Sequence, residues 1–161
     1  MTSASPDQPS GRPQLNIPEL AEGQRPQRHS TRTKARKRAI DILFEAELRG
    51  GDPIVTLAER TADADPPVRE FTSELVRGVV EHRPELDEVI TAHLADGWTL
   101  ARLPRVDRAA LRIAAFELAH TDVPADVAVS EAVSLVGDLS TDESPAFVNA
   151  VLAAIGRSSS H

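Results

Sequence analysis

Five cations fall within seven residues, Arg32-Thr33-Lys34-Ala35-Arg36-Lys37-Arg38, at the start of a run with helical spacing. Cations there oppose the helix dipole, at a cost of up to about 0.3–1 kcal/mol each, and a sequence chosen for helix stability alone would place acids in that turn. A phosphate outside the helix is the obvious compensating group; the alternative is a solvated helix end. A second stretch, 139–149, crowds Thr141, Asp142 and Ser144 at a helix start, as capping residues do. Free N–H groups and hydroxyls in such a turn can also hold a phosphate or a base edge. Asn149 can hydrogen-bond a base or a neighbour within a helix bundle. Phe147 can stack on a base or pack in a core.

The rest of the chemistry-bearing side chains point to no reaction. The histidines, His29, His82, His93, His120 and His161, are scattered, with no pair at i, i+4 and no metal-ligand spacing. Structural or solvated roles are expected of them, and neither a metal nor a cofactor. Glu45/Glu47 and Asp87/Glu88 are too close in sequence to share a helix face and read as solvated. There is no cysteine, no Gly-rich phosphate loop and no G-x-S-x-G or H-E-x-x-H motif. An enzyme is not expected.

These groups must be held by a fold that 161 residues can build, which means one domain rather than two full ones. No apolar run approaches a membrane span, and no signal-peptide core stands at the N-terminus, so a cytoplasmic location is expected. The net charge of −7 divides unevenly: residues 1–38 carry a net of +5 and the remaining 123 a net of −12. An acidic body with a basic head argues against polyanion binding over the whole surface and allows a local phosphate contact at one end.

Residues 1–30 hold five of the twelve prolines and almost no clustered apolar residues, and read as a disordered leader. Residues 158–161 read as a flexible tail, leaving 31–157 as the folded domain. The other seven prolines each stand at or just before an apolar-periodic run, where the missing N–H of the first helical turn costs nothing. This punctuation, with abundant Ala, Leu, Glu and Arg and no period-two alternation, predicts an all-α domain. About seven helices are expected: Thr33–Arg49, Ile54–Thr61, Val68–Glu81, Glu85–Leu94, Pro104–Leu118, Ala125–Leu139 and Ser144–Ile155, the last stopped by Gly156. The fifth is apolar nearly all round, as a central helix must be. They make one bundle, or two small three-helix bundles sharing a core.

Three stretches together resemble the NusB family of bacterial transcription antitermination factors: ARKRAIDILFEAE (35–47); WTLARL (98–103) with VDRAALRIAAFEL (106–118); and DVP (122–124), SEAV (130–133) and DESPAFVNAVL (142–152). They cover about residues 32–155 in the family's order and spacing. The resemblance implies two three-helix bundles and no catalysis. It implies pairing with NusE, the S-ten protein of the small ribosomal subunit, and binding of the pair to boxA RNA in nascent ribosomal RNA transcripts. The complex then assembles with RNA polymerase. By the same resemblance Arg32, Lys34, Arg36 and Lys37 inherit RNA contact, as do Glu143, Ser144, Phe147 and Asn149. Phe44, Leu48, Asp107 and Arg108 inherit the NusE face.

The chain departs from the family pattern in places. Ala150 replaces a usual Gly, Ala146 a frequent Lys or Gly, Val136-Gly137 a frequent Ala-Lys, and Thr33 a frequent basic residue. These changes motivate a second reading, a protein–protein adaptor whose RNA site is weakened or covered by homodimerisation. A third, the NusB-like domain of a ribosomal RNA methyltransferase, is disfavoured, because the chain has no room for a cofactor-binding sheet.

Overall fold

The computed structural model describes residues 30–64 and 67–159, so the expected leader at 1–30, apart from its last residue, and the last two residues of the chain lie outside it. The chain divides at Lys34/Ala35 into two units, where the sequence reading places its boundary at 30/31. Of the first unit, Ser30–Lys34 are described. Ser30 caps this opening turn: its Oγ accepts from the Thr33 N–H at 3.1 Å, and its carbonyl accepts from the Lys34 N–H at 3.0 Å.

Seven α-helices and no strand occur among the described residues: α1 Thr31–Arg49, α2 Pro53–Asp63, α3 Glu70–Glu81, α4 Arg83–Ala92, α5 Arg105–His120, α6 Ala125–Leu139 and α7 Ser144–Ser159, with a 3-10 turn at Leu100–Arg102 before α5. None is long and apolar enough to cross a membrane. Proline stands in the first turn of α2 and α4 and is the residue just before α5 and α6. Asp52 completes the start of α2 by accepting from the Ile54 N–H at 2.9 Å.

Most boundaries fall within two residues of expectation, and the differences at the α3–α4 junction and at the end of α7 have a visible cause. A single residue, His82, separates α3 from α4, so α4 begins at Arg83 with Pro84 inside its first turn. At the other end α7 runs through Gly156 to Ser159, two residues into the expected tail. Ser159 Oγ donates to the Ile155 carbonyl at 3.0 Å, and Ser158 Oγ lies 3.2 Å from His93 Nε2 beyond the end of α4. Gly156 therefore never takes the left-handed conformation by which glycine ends a helix.

α5, α6 and α7 contact one another pairwise and form one three-helix bundle. α1, α2 and α3 form the other: α3 packs on α2, Thr72 Oγ1 of α3 donates to the Ala35 carbonyl of α1 at 2.9 Å, and Arg60 of α2 pairs with Glu45 of α1. One apolar cluster, including Ile42, Leu75, Val79, Leu111, Val136 and Leu152, runs through both. α5 joins them, and every residue from Asp107 to Glu117 on it is buried.

Four of those buried residues are charged, and each is tied to another part of the fold. Asp107 accepts from Ser144 of α7, Arg108 pairs with Glu47 of α1, Arg112 forks onto Asp87 of α4 at 2.7 and 3.2 Å, and Glu117 holds Arg36 of α1. Burial of a charge is tolerated only with such partners. Glu47 and Asp87 are thus structural ties rather than the solvated acids their sequence neighbourhood suggests.

Candidate RNA- and partner-binding surface

A cleft of about 310 Å³ opens beside the start of α7, lined by Trp98, Leu103, Pro104, Asp107, Thr141, Glu143, Ser144 and Phe147. Local backbone rules build it. Gly97 adopts φ +88°, a conformation costly for any residue with a Cβ, and the tight turn there leaves Trp98 45% exposed at the rim. Arg102 braces the turn: its guanidinium donates to the Gly97 carbonyl at 2.6 Å and lies 5.0 Å over the Trp98 ring. Phe147, half-buried on the first turn of α7, faces Trp98 with ring centroids 6.4 Å apart and planes tilted by 49°. Glu143 and Asn149 are exposed nearby in sequence.

The polar floor of the cleft is Asp107. Its Oδ2 accepts from Ser144 Oγ at 2.8 Å, and the Thr141 N–H donates to the same serine oxygen at 3.2 Å. Asp107 Oδ1 is buried and has no hydrogen-bond partner. The unpaired oxygen lies beneath the cleft surface, and the Ser144 hydroxyl donates the hydrogen bond that compensates this carboxylate. Trp98 and Arg102 were not candidates in the sequence reading. The only tryptophan of the chain, four residues before an arginine and just after a glycine turn, was the available signal.

The basic stretch does not act as one group. In the first unit Arg32 and Lys34 are exposed on the opening turn of α1. In the second, Lys37 is exposed, with only an open i, i+4 pair to Asp41 at 3.3 Å. Arg36 departs from expectation: it is 3% exposed, and its guanidinium forks onto Glu117 at 2.8–3.2 Å and reaches Glu131 at 3.3 Å. It also lies 5.2 Å over the Phe71 ring. A cation so engaged cannot reach a phosphate without leaving Glu117 uncompensated inside the core.

The family model described as "NusB family" matches residues 33–157. The chain belongs to the NusB family. A transcription antitermination protein NusB of Acidothermus cellulolyticus is 57% identical over 125 residues, covering 77% of this chain and 86% of that protein. Another, from Cutibacterium acnes, is 52% identical over 126 residues; the match covers 78% of this chain but spans only 48% of that longer relative. Among solved structures, a crystal structure of antitermination factors NusB and NusE in complex with double-stranded RNA is similar at a TM-score of 0.70 and 30% identity, covering 79% of this chain and 96% of that one.

Against this NusB background, the residues implied for the NusE face separate into two kinds. Leu48 is 58% exposed on α1, and Phe44 is half-buried one turn earlier. Asp107 and Arg108 are buried at 2% and 7%. Arg108 donates to the carbonyls of Leu100 and Leu103 and pairs with Glu47, so it locks the 3-10 turn to α1 instead of presenting charge to a partner. Ser144, 1% exposed, is likewise turned inward, because the first turn of α7 aims its hydroxyl at Asp107. Arg36, Asp107, Arg108 and Ser144 are therefore buried and bound to partners within this NusB-family fold, where the resemblance leads one to expect outward-facing contacts.

Proposed function

We propose that this protein is a cytoplasmic, non-enzymatic transcription antitermination factor. Together with a NusE-type partner it binds boxA-type RNA in nascent ribosomal RNA transcripts and helps to assemble the antitermination complex on RNA polymerase. Membership of the NusB family over residues 33–157 carries this reading. Arg32, Lys34 and Lys37 supply phosphate contacts. The cleft beside α7 takes an unstacked base against the exposed edges of Trp98 and Phe147, with Asp107 and Ser144 as its buried support and Glu143 and Asn149 at the approach. Phe44 and Leu48 offer the apolar contacts for NusE. Arg36, Ser144 and Arg108 hold these elements in place.

A second reading, an adaptor that binds NusE but contributes little to RNA, is favoured by one observation: Arg36, a quarter of the cations assigned to RNA, is withdrawn into the core. Titration of a labelled boxA-type RNA with the protein alone, with NusE alone and with the pair, at two salt concentrations, decides between them. The antitermination reading expects the pair to bind more tightly than NusE alone, with a strong salt dependence. NusE binding with no gain in RNA affinity would establish the adaptor.

A further inference from the structure

His82 and His120, scattered in the sequence, are stacked in the fold with ring centroids 3.8 Å apart. Glu85 closes the group: one carboxylate oxygen lies 3.1 Å from His120 Nε2, and the other lies 3.5 Å from His82 Nδ1. We propose that His82, Glu85 and His120 bind a divalent transition-metal cation of the zinc type.

The donor set is two imidazoles and a carboxylate, the chemistry that selects borderline first-row cations over magnesium or calcium. Spacing agrees. Zinc–nitrogen and zinc–oxygen bonds of about 2.0–2.2 Å at tetrahedral angles put neighbouring donor atoms about 3.4 Å apart, and the two observed separations fall on either side of that value. One ligand atom from each of the three residues lies within 4.8 Å of the other two; because the imidazoles are stacked at 17°, binding requires them to turn out of the stack until both ring planes meet at the ion. With three protein donors, a fourth ligand would be water.

The site is also built from below. Phe116 carries both imidazoles on its ring, with centroids 5.9 Å from His82 and 5.7 Å from His120. Phe116 can occupy that place only because residue 78 is glycine: a Cβ there would stand 2.2 Å from its Cζ. His82 is held as the single residue between α3 and α4, its N–H bonded to the Gly78 carbonyl at 3.0 Å. A bound cation would clamp this junction to the last turn of α5.

The test is calorimetric titration of the full, untagged chain with zinc chloride, with cobalt absorption spectra and thermal unfolding alongside. One equivalent is expected to bind, cobalt to give the spectrum of a four-coordinate nitrogen–oxygen site, and Tm to rise by at least about 5 °C once free zinc exceeds Kd a hundredfold. His120→Gln, His82→Asn and Glu85→Gln should each weaken binding at least tenfold, to about the degree known for perturbed metal sites or more. His93→Asn should leave it unchanged. Circular dichroism of each variant checks that the fold persists, and the Gln and Asn replacements keep a hydrogen-bonding group in place. Absence of binding heat and of any Tm change with zinc, cobalt and nickel overturns the proposal. So does zinc affinity that survives all three replacements, which would put the ion elsewhere on the chain.

Discussion

Arg36 and Lys37 are adjacent in sequence and opposite in use. One turns into the core and neutralises Glu117, which is fully buried; the other stands in solvent. Removing one partner of a buried pair leaves the other charged and unsolvated, so Arg36→Ala is expected to destabilise the protein by about 3–5 kcal/mol in urea unfolding. A loss of less than about 1 kcal/mol would mean that Glu117 finds another partner. Lys37→Glu, at an exposed position, should change stability by less than about 0.5 kcal/mol while weakening RNA binding by the NusE pair. The two variants thus separate support from contact. The same distinction applies at Ser144 and Phe147, three residues apart on α7: the hydroxyl is inside, and the ring reaches the cleft rim. Residue type identified both positions as candidates. Which of them faces outward depended on Asp107, a neighbour from another helix.

Two glycines show the same dependence within helices. Gly78 in α3 and Gly137 in α6 both weaken a helix by roughly 0.5–1 kcal/mol relative to alanine when nothing else intervenes. A Cβ at Gly137 would meet only Pro145 Cγ at 3.6 Å, an ordinary contact. Gly137→Ala should therefore stabilise by about 0.5–1 kcal/mol, read as a higher denaturation midpoint with an unchanged m-value. At Gly78 the Cβ would overlap the Phe116 ring, and Gly78→Ala should instead cost about 1–3 kcal/mol through overpacking. Equal and favourable effects at both sites would show that Phe116 can move aside without loss. Helix boundaries followed local signals closely where proline or aspartate marked a start. They were missed at the α3–α4 junction and at the end of α7, where a helix is continued or restarted by what it packs against.

Across the molecule, RNA affinity should reflect few cations on an acidic body. With Arg36 internal, three of the four proposed phosphate contacts remain, and on that proposal the log–log salt slope contributed by this chain in the NusE pair should be about −2. A slope unchanged by charge reversal at Lys34 and Lys37 together would remove the basic stretch from the mechanism and favour the adaptor. The all-helical class, the number of helices and the central place of α5 were all legible from proline placement and 3.6-residue apolar spacing. These signals act within one turn of the chain, and so survive without knowledge of the tertiary partners. The family resemblance was legible for a related reason: its longest motifs lie within single helices, on α1, in the continuous buried run of α5 and in the first turns of α7. Folding alone decided which polar groups serve the interior. Arg36 met Glu117, Ser144 met Asp107, Arg108 met Glu47 and His82 met His120 only when helices distant in sequence packed together. A side chain's charge is a property of its residue, but its exposure and its partner belong to the space between helices.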